Sequence, residues 1–205
     1  MIHWSTFVLF VGTSLILVVV PGPNHLYIAA RGLAQGRSAA LASAFGVETG
    51  TLVHIAAAAA GLSYLISTSA TLFGLVKWAG VAYLFYLGIR ALTGKPEDTA
   101  EAPEPQPLGK VYAEGIVVNV LNPKVTLFFL ALLPQFVRPE AGSPTLQIVV
   151  LGVTVMSLGL LSDLIYAFTA GALGQRLARR ARALKKVSGV VYLGLGVLTA
   201  FAGRK

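Results

Sequence analysis

Residues 77–94 read KWAGVAYLFYLGIRALTG, and residues 186–203, 109 positions further on, read KVSGVVYLGLGVLTAFAG. Seven of the 18 aligned positions are identical without a gap: Lys77 with Lys186, Gly80 with Gly189, Val81 with Val190, Tyr83 with Tyr192, Leu84 with Leu193, Ala91 with Ala200 and Gly94 with Gly203. Apolar composition alone produces a few matches, but a shared Lys, a shared Tyr and two shared Gly do not follow from it. Each copy is an apolar block, and the chain around them is of the same kind. Of 205 residues, 56% are hydrophobic and only 12% charged. A soluble domain carries about 25% charged residues, and a disordered chain needs low hydrophobicity. What remains is an integral membrane protein.

A bilayer core is crossed by a helix of about 20 apolar residues. Six blocks meet that length, at residues 4–30, 38–66, 72–93, 111–137, 146–173 and 187–202. None alternates polar and apolar residues as barrel strands do, so the expectation is six helices and no sheet. Met1, Ile2 and His3 supply no Lys or Arg, so the first block reads as part of the fold rather than as a cleaved signal. Between the third and fourth blocks, residues 95–107 are rich in Pro and Glu and read as an exposed, extended linker. The organisation is then 1–94, a first three-helix repeat; 95–110, a linker; and 111–205, a second three-helix repeat.

The net charge of +8 comes from 16 Lys and Arg against 8 Asp and Glu. These cations lie in short loops, without aromatic interleaving on a polar surface. The positive-inside rule accounts for them, and nucleic acid is not expected as a partner. With six spans, eleven Lys and Arg fall on the side of the linker and four on the other. The linker side is therefore cytoplasmic and both termini face outward. A re-entrant first block would leave five spans and move only the N-terminus. In the cytoplasmic run 175–186, Leu177, Ala178, Ala181 and Leu184 fall at helical spacing beneath six cations; the run reads first as a topology determinant and second as an interfacial helix on anionic lipid.

Copies with an odd number of spans point in opposite directions, which makes this an inverted repeat. The remaining helices pair by order. The first is broken at Pro21-Gly22-Pro23 and the fourth at Asn122-Pro123; the second carries Glu48 and the fifth Asp163. Interrupted helices at matching places of an inverted repeat point to the binding site of a secondary transporter. Proline frees carbonyls that lipid cannot satisfy. Asn24 suits an N-cap of the second half-helix, whose free N–H groups suit a carboxylate. Asn119, Asn122, Pro123 and Lys124 make the matching break. An ion at the centre of a span costs about 2.5–3.5 kcal/mol on insertion scales, so Glu48, Lys124 and Asp163 call for mutual pairing, a polar pathway, or both. On the second helix Ala42, Gly46, Gly50 and His54 share a face that lets another helix approach closely. Glu48 and Thr51 lie nearly opposite, so this helix is expected to be contacted on both sides. His54 reads as a packing hydrogen-bonder before a proton relay.

Enzymatic readings fail on motifs. No phosphate-binding loop, HExxH zinc pattern or GxSxG elbow occurs. There is no cysteine, and the three histidines follow no ligand spacing, so no cofactor or metal is expected.

PGPN at 21–24, ARGLAQGRSAAL at 30–41, GVETGTLVH at 46–54, VKWAGVAYLFYLGI at 76–89 and NVLNPKVTLFFLALLPQF at 119–136 resemble the LysE/RhtB family of amino-acid exporters along nearly the whole chain. The resemblance implies a bacterial inner-membrane efflux carrier for amino acids such as threonine, homoserine or lysine, driven by the proton gradient. Pro21, Gly22, Pro23, Asn122, Pro123, Lys124 and Asp163 match its motif positions. Glu48 stands where homoserine/threonine-type members are expected to carry a neutral amide, which puts substrate charge and coupling in question. The reading is an alternating-access exporter. The carboxylate of its substrate would lie near Asn24 and Lys124, and the ammonium would face Asp163 or Glu48. Protons and membrane lipids are the other partners, and a homo-oligomer is left open. The rivals are a non-transporting membrane scaffold and a small-solute channel.

Overall fold

The computed structural model describes residues 2–62, 70–94, 103–179 and 181–201. The described residues form helices and connections, with no strand among them. Helix α1 is Trp4–Val19, α2 is Pro23–Gln35, and α3 is Arg37–Ala57, prolonged by a π-helical turn, Ala58–Leu62. Helix α4 is Ala70–Thr93 and α5 is Leu108–Val120. The short α6, Pro123–Leu127, passes into a π turn, Phe128–Leu132, and a 3-10 turn, Leu133–Phe136. A 3-10 turn, Pro139–Ala141, precedes α7, Pro144–Arg179, and α8 is Ala181–Phe201. The protein is an all-α membrane protein.

Three helices, 37–62, 71–93 and 144–169, are long and apolar enough to cross a bilayer on their own. Two bent pairs meet the same test jointly, Trp4–Val19 with Pro23–Gln35 and Leu108–Val120 with Pro123–Phe136, and each is bent by 45°. The two breaks expected at the prolines are thus real and of equal angle. The apolar part of α8, Lys186–Phe201, is shorter than a full span. The boundaries depart most from the sequence expectation around residue 180. The fifth helix does not end near residue 173 but continues to Arg179, and α8 begins at Ala181 rather than 187. Ala, Leu, Arg and Lys are strong helix formers, so nothing in this basic run stops a helix. The lipid-binding reading of 175–186 rests on side chains that, for the most part, lie outside the described ones, as do linker residues 95–102 and the tail of the second block, 63–66.

Small residues set the packing. A Cβ on Gly46 would fall on the backbone carbonyl of Tyr112, and one on Gly50 would lie 2.7 Å from Asn119 Cβ, so α3 and α5 touch backbone to backbone. The other side of α3 meets α7, where Glu48 lies against Gly159 and Ile55 against Gly152. Helix α3 is therefore central, contacted on both sides as its two faces required. The duplicated helices α4 and α8 pack on each other through Gly88, Gly189 and Gly196.

Direction follows from these contacts. Along α4, Leu84, Gly88 and Leu92 meet Gly196, Leu193 and Gly189 of α8 in descending order, so the two helices run antiparallel. Helices α3 and α7 do the same, Glu48 to Gly159 and Ile55 to Gly152. The broken helices also oppose each other: Phe10 packs tilted against Phe128 and edge-on against Phe136, Asn24 meets Asn122, and Tyr27 reaches Val111.

Candidate functional site

Both breaks begin a new helix with proline in its first turn, the place where a missing N–H is harmless. At the first, the cap is Gly22 rather than the expected Asn24, and Pro23 and Asn24 are already helical. The cap needs no side chain of its own. The Gly22 N–H donates to His25 Nδ1 at 3.3 Å, from a ring three residues on. At the second break the cap is Asn122, whose Oδ1 accepts from the Lys124 N–H at 3.0 Å. The two breaks then clasp each other, Asn122 Nδ2 donating to Asn24 Oδ1 at 2.8 Å.

The carbonyls that the first break frees have found donors from other helices. Val20 O accepts from Lys124 Nζ at 2.6 Å, and Pro21 O accepts from Ser188 Oγ on α8 at 2.9 Å. The second break is held similarly, with Asn119 O facing His54 Nε2 at 3.2 Å. His54 also stacks on Phe129 at 5.5 Å. It braces the break as a packing hydrogen-bonder and does not line the cavity described next.

Between the breaks and α3 and α7 lies a narrow cavity of about 60 Å³. Of the residues expected at the site, Gly22, Asn24, Glu48, Thr51, Asn119, Asn122, Lys124 and Asp163 line it; Pro21, Pro23, Pro123 and His54 do not. The prolines shape the backbone from behind. Leu17, Val18, Val125, Phe128, Phe129 and Val155 form its apolar walls. A volume of that size holds a few water molecules, less space than an amino acid takes up.

Glu48, Lys124 and Asp163 are all buried. The expected pairing of Lys124 with an acid is not what holds it. Its ammonium uses one donor on the Val20 carbonyl, while Asp163 Oδ1 lies 3.4 Å from His25 Nε2 and Glu114 pairs with Arg31. The two carboxyl groups, from α3 and α7, line the same cavity and are close enough to interact electrostatically. Space for Glu48 comes from Gly159, where a Cβ would sit 2.6 Å from Oε1.

Sequence reasoning passed over His25. Because Nδ1 accepts from Gly22, the neutral ring carries its proton on Nε2. That nitrogen faces Ser162 Oγ at 3.1 Å and Asp163 Oδ1 at 3.4 Å, and the ring stacks on Tyr166 at 4.2 Å. The signal was a histidine two residues after a proline break, on the first turn of the new helix. Arg31 was counted only as a loop cation. It is 4% exposed. Its Nη2 donates to Glu114 Oε2 at 2.6 Å and its Nη1 to Gln35 Oε1 at 3.1 Å and to Glu104 O at 3.0 Å. Tyr27 Oη adds a bond to Val111 O at 2.7 Å, and Gln35 Nε2 one to Gln106 O at 2.7 Å. This polar cluster ties α2, α5 and the segment 103–107 together on one side of the cavity. Phe10, Phe128, Phe136 and Leu133 pack into an apolar cluster on the other.

Residues 15–203 match the family model described as LysE type translocator. The chain is 33% identical to a homoserine/homoserine lactone efflux protein of Salmonella typhimurium over 97% of this chain and 96% of that protein. It is 30% identical to an uncharacterized membrane protein of Vibrio cholerae over 97% of both chains. A further uncharacterized membrane protein, from Pseudomonas aeruginosa, is 33% identical over 91% of this chain and 90% of its own length. No solved structure matches.

Proposed function

We propose, from the premise that this chain belongs to the LysE type translocator family, that it is a proton-coupled exporter of small amino acids across the bacterial inner membrane, and a carrier rather than an enzyme. The observation that carries the proposal is the cavity at the crossing of two broken helices, lined by Glu48 and Asp163 together with Lys124, Asn24 and Asn122. Buried ions and amides facing a water-sized space inside a membrane protein are costly to keep and mark a solute pathway. A zwitterionic substrate matches the mixture of charges. The ammonium turns to the carboxyl pair, and the carboxylate to the two remaining donors of Lys124.

An inverted repeat supports alternating access. The three helix pairs that the duplication relates all run antiparallel, and the two breaks have equal bends. In this reading the polar cluster around Arg31 and Glu114 is the cytoplasmic gate and the Phe10 cluster the outer one. In the described structure the cavity between them is too small for an amino acid, so in this reading export requires one of the two to open. The carboxyl pair carries the proton. Two adjacent carboxyls hold one proton between them more readily than two negative charges, and a change in the access of that proton is what coupling requires. The relatives named for homoserine and homoserine lactone narrow the first substrates to try.

The test is efflux from proteoliposomes preloaded with a panel of labelled amino acids, homoserine and threonine among them. Export of at least one, accelerated by a proton gradient, is expected. A protein that moves none of them refutes the proposal.

A further inference from the structure

The polar side chains of α2 are bonded to the linker as well as to α5. Arg31 Nη1 donates to the Glu104 carbonyl at 3.0 Å, and Gln35 Nε2 donates to the Gln106 carbonyl at 2.7 Å. Both acceptors are backbone atoms of the segment Pro103-Glu104-Pro105-Gln106-Pro107, in which every second residue is proline. Proline fixes its own φ and biases the residue before it towards extended conformations, so this segment is extended before it binds anything. Pro107 has φ −55° and ψ 139°, in the polyproline II region.

The spacings match. Residues 104 and 106 are two steps of about 3.1 Å apart along a polyproline II strand. Arg31 and Gln35 are four steps of about 1.5 Å apart along α2. Both intervals come to about 6 Å. The pairs 31–104 and 35–106 run in the same order, so the segment lies parallel to α2, with alternate carbonyls in register with one turn of the helix. Arg31 is buried, and its Nη2 holds Glu114 of α5, so one side chain joins the segment, α2 and α5. At the end of the segment, Pro107 O accepts the Lys110 and Val111 N–H groups and anchors it to the first turn of α5. Moving α2 away from α5 breaks these bonds together. We infer that α2 carries a binding site for an extended, proline-alternating peptide, that residues 103–107 of the same chain occupy it, and that this occupancy latches the gate shut. The inference rests on reading the Arg31–Glu114 cluster as the cytoplasmic gate, and it gives the linker a part beyond joining the two repeats. What the site recognises is the extended backbone.

Pro105 is exposed and stands between the two bonded carbonyls. Pro105→Gly therefore removes little packing and chiefly frees the segment when it is unbound. The readout is a cysteine placed in the cavity wall by Val125→Cys, reacting with an impermeant thiol reagent in inside-out membrane vesicles. Pro105→Gly is expected to raise that rate about two- to fivefold. Gln35→Ala, which deletes the second bond, is expected to raise it about two- to tenfold. In the opposite direction, Gln35→Cys with Gln106→Cys, joined by a short reducible thiol cross-linker, is expected to stop flux of labelled substrate until the link is reduced. Unchanged labelling in Pro105→Gly, or full flux through the cross-linked protein, overturns the latch. A variant that fails to insert leaves the cross-linked protein to decide. Labelling needs no substrate, so faster labelling in a protein that exports none of the amino acids refutes export and leaves the latch standing.

Discussion

Replacing Gly159 by Ala tests whether the position of the Glu48 carboxyl matters to transport. The new Cβ would stand 2.6 Å from Glu48 Oε1 and 3.4 Å from its Cδ. An ordinary carbon–oxygen contact is about 3.3 Å, so the oxygen must retreat by roughly 0.7 Å. The carboxyl is the free end of a flexible side chain, so the helix contact between α3 and α7 survives and the protein still inserts. The site fares worse. Binding constellations are held to within about 0.5 Å, and the displaced carboxyl loses its place beside Asp163. The expected result is a KM raised by about tenfold, as for one lost charge-assisted bond, with membrane-fraction yield close to wild type. Shortening the side chain makes room again, so Glu48→Asp in the Gly159→Ala background should recover part of the loss. Initial rates of labelled-substrate uptake into inverted proteoliposomes measure both variants. A Gly159→Ala protein with unchanged KM would refute the argument that this glycine exists to seat the carboxyl.

Gly46→Val puts a branched side chain against the Tyr112 backbone, which cannot yield as a side chain does. Overpacking of this kind costs about 1–3 kcal/mol, and a lowered unfolding temperature in detergent, with a loss of folded yield, is expected; wild-type stability would contradict the close approach of α3 and α5. Glu114→Gln removes the anion that holds Arg31 at 2.6 Å. With the cluster weakened, a cysteine introduced at Val125 in the cavity wall should react faster with a cytoplasm-side thiol reagent. The native chain has no cysteine, so labelling has no background, and an unchanged rate would remove Arg31–Glu114 from the role of gate.

Much of the fold could be read from local signals. Two proline breaks in apolar helices, an acid on the helix that follows each break, and a duplicated third helix all concern single elements, and each is where the sequence put it. Gly46 and Gly50 foretold the close face of α3 because spacing of four residues is a property of the helix itself. What escaped was partnership. No pattern in the sequence shows that Lys124 reaches back 104 residues to a freed carbonyl rather than to an acid, since that depends on how the two breaks cross. His25 escaped because a lone histidine carries no spacing; it acquires meaning only when Gly22 lacks a capping side chain and Asp163 arrives from α7. Arg31 was read as a loop charge because the start of α5, with Glu114, lies beyond the linker. The cap at Gly22 rather than Asn24 is a shift of two residues, which the extended backbone of Gly22 decides. The π turn at 128–132 and the 3-10 turn at 133–136 surround Pro134, which has no N–H for the α-helical hydrogen bond, though it sits in an otherwise continuous apolar run.

In the proposed mechanism the buried carboxyl pair couples proton movement to export. Substrate flux in proteoliposomes with and without an imposed pH gradient tests it most directly, comparing wild type with Glu48→Gln at saturating substrate. The gradient is expected to accelerate wild-type flux, whereas Glu48→Gln is expected still to exchange labelled for unlabelled substrate but no longer to respond to the gradient. A Glu48→Gln protein with wild-type gradient dependence would contradict it.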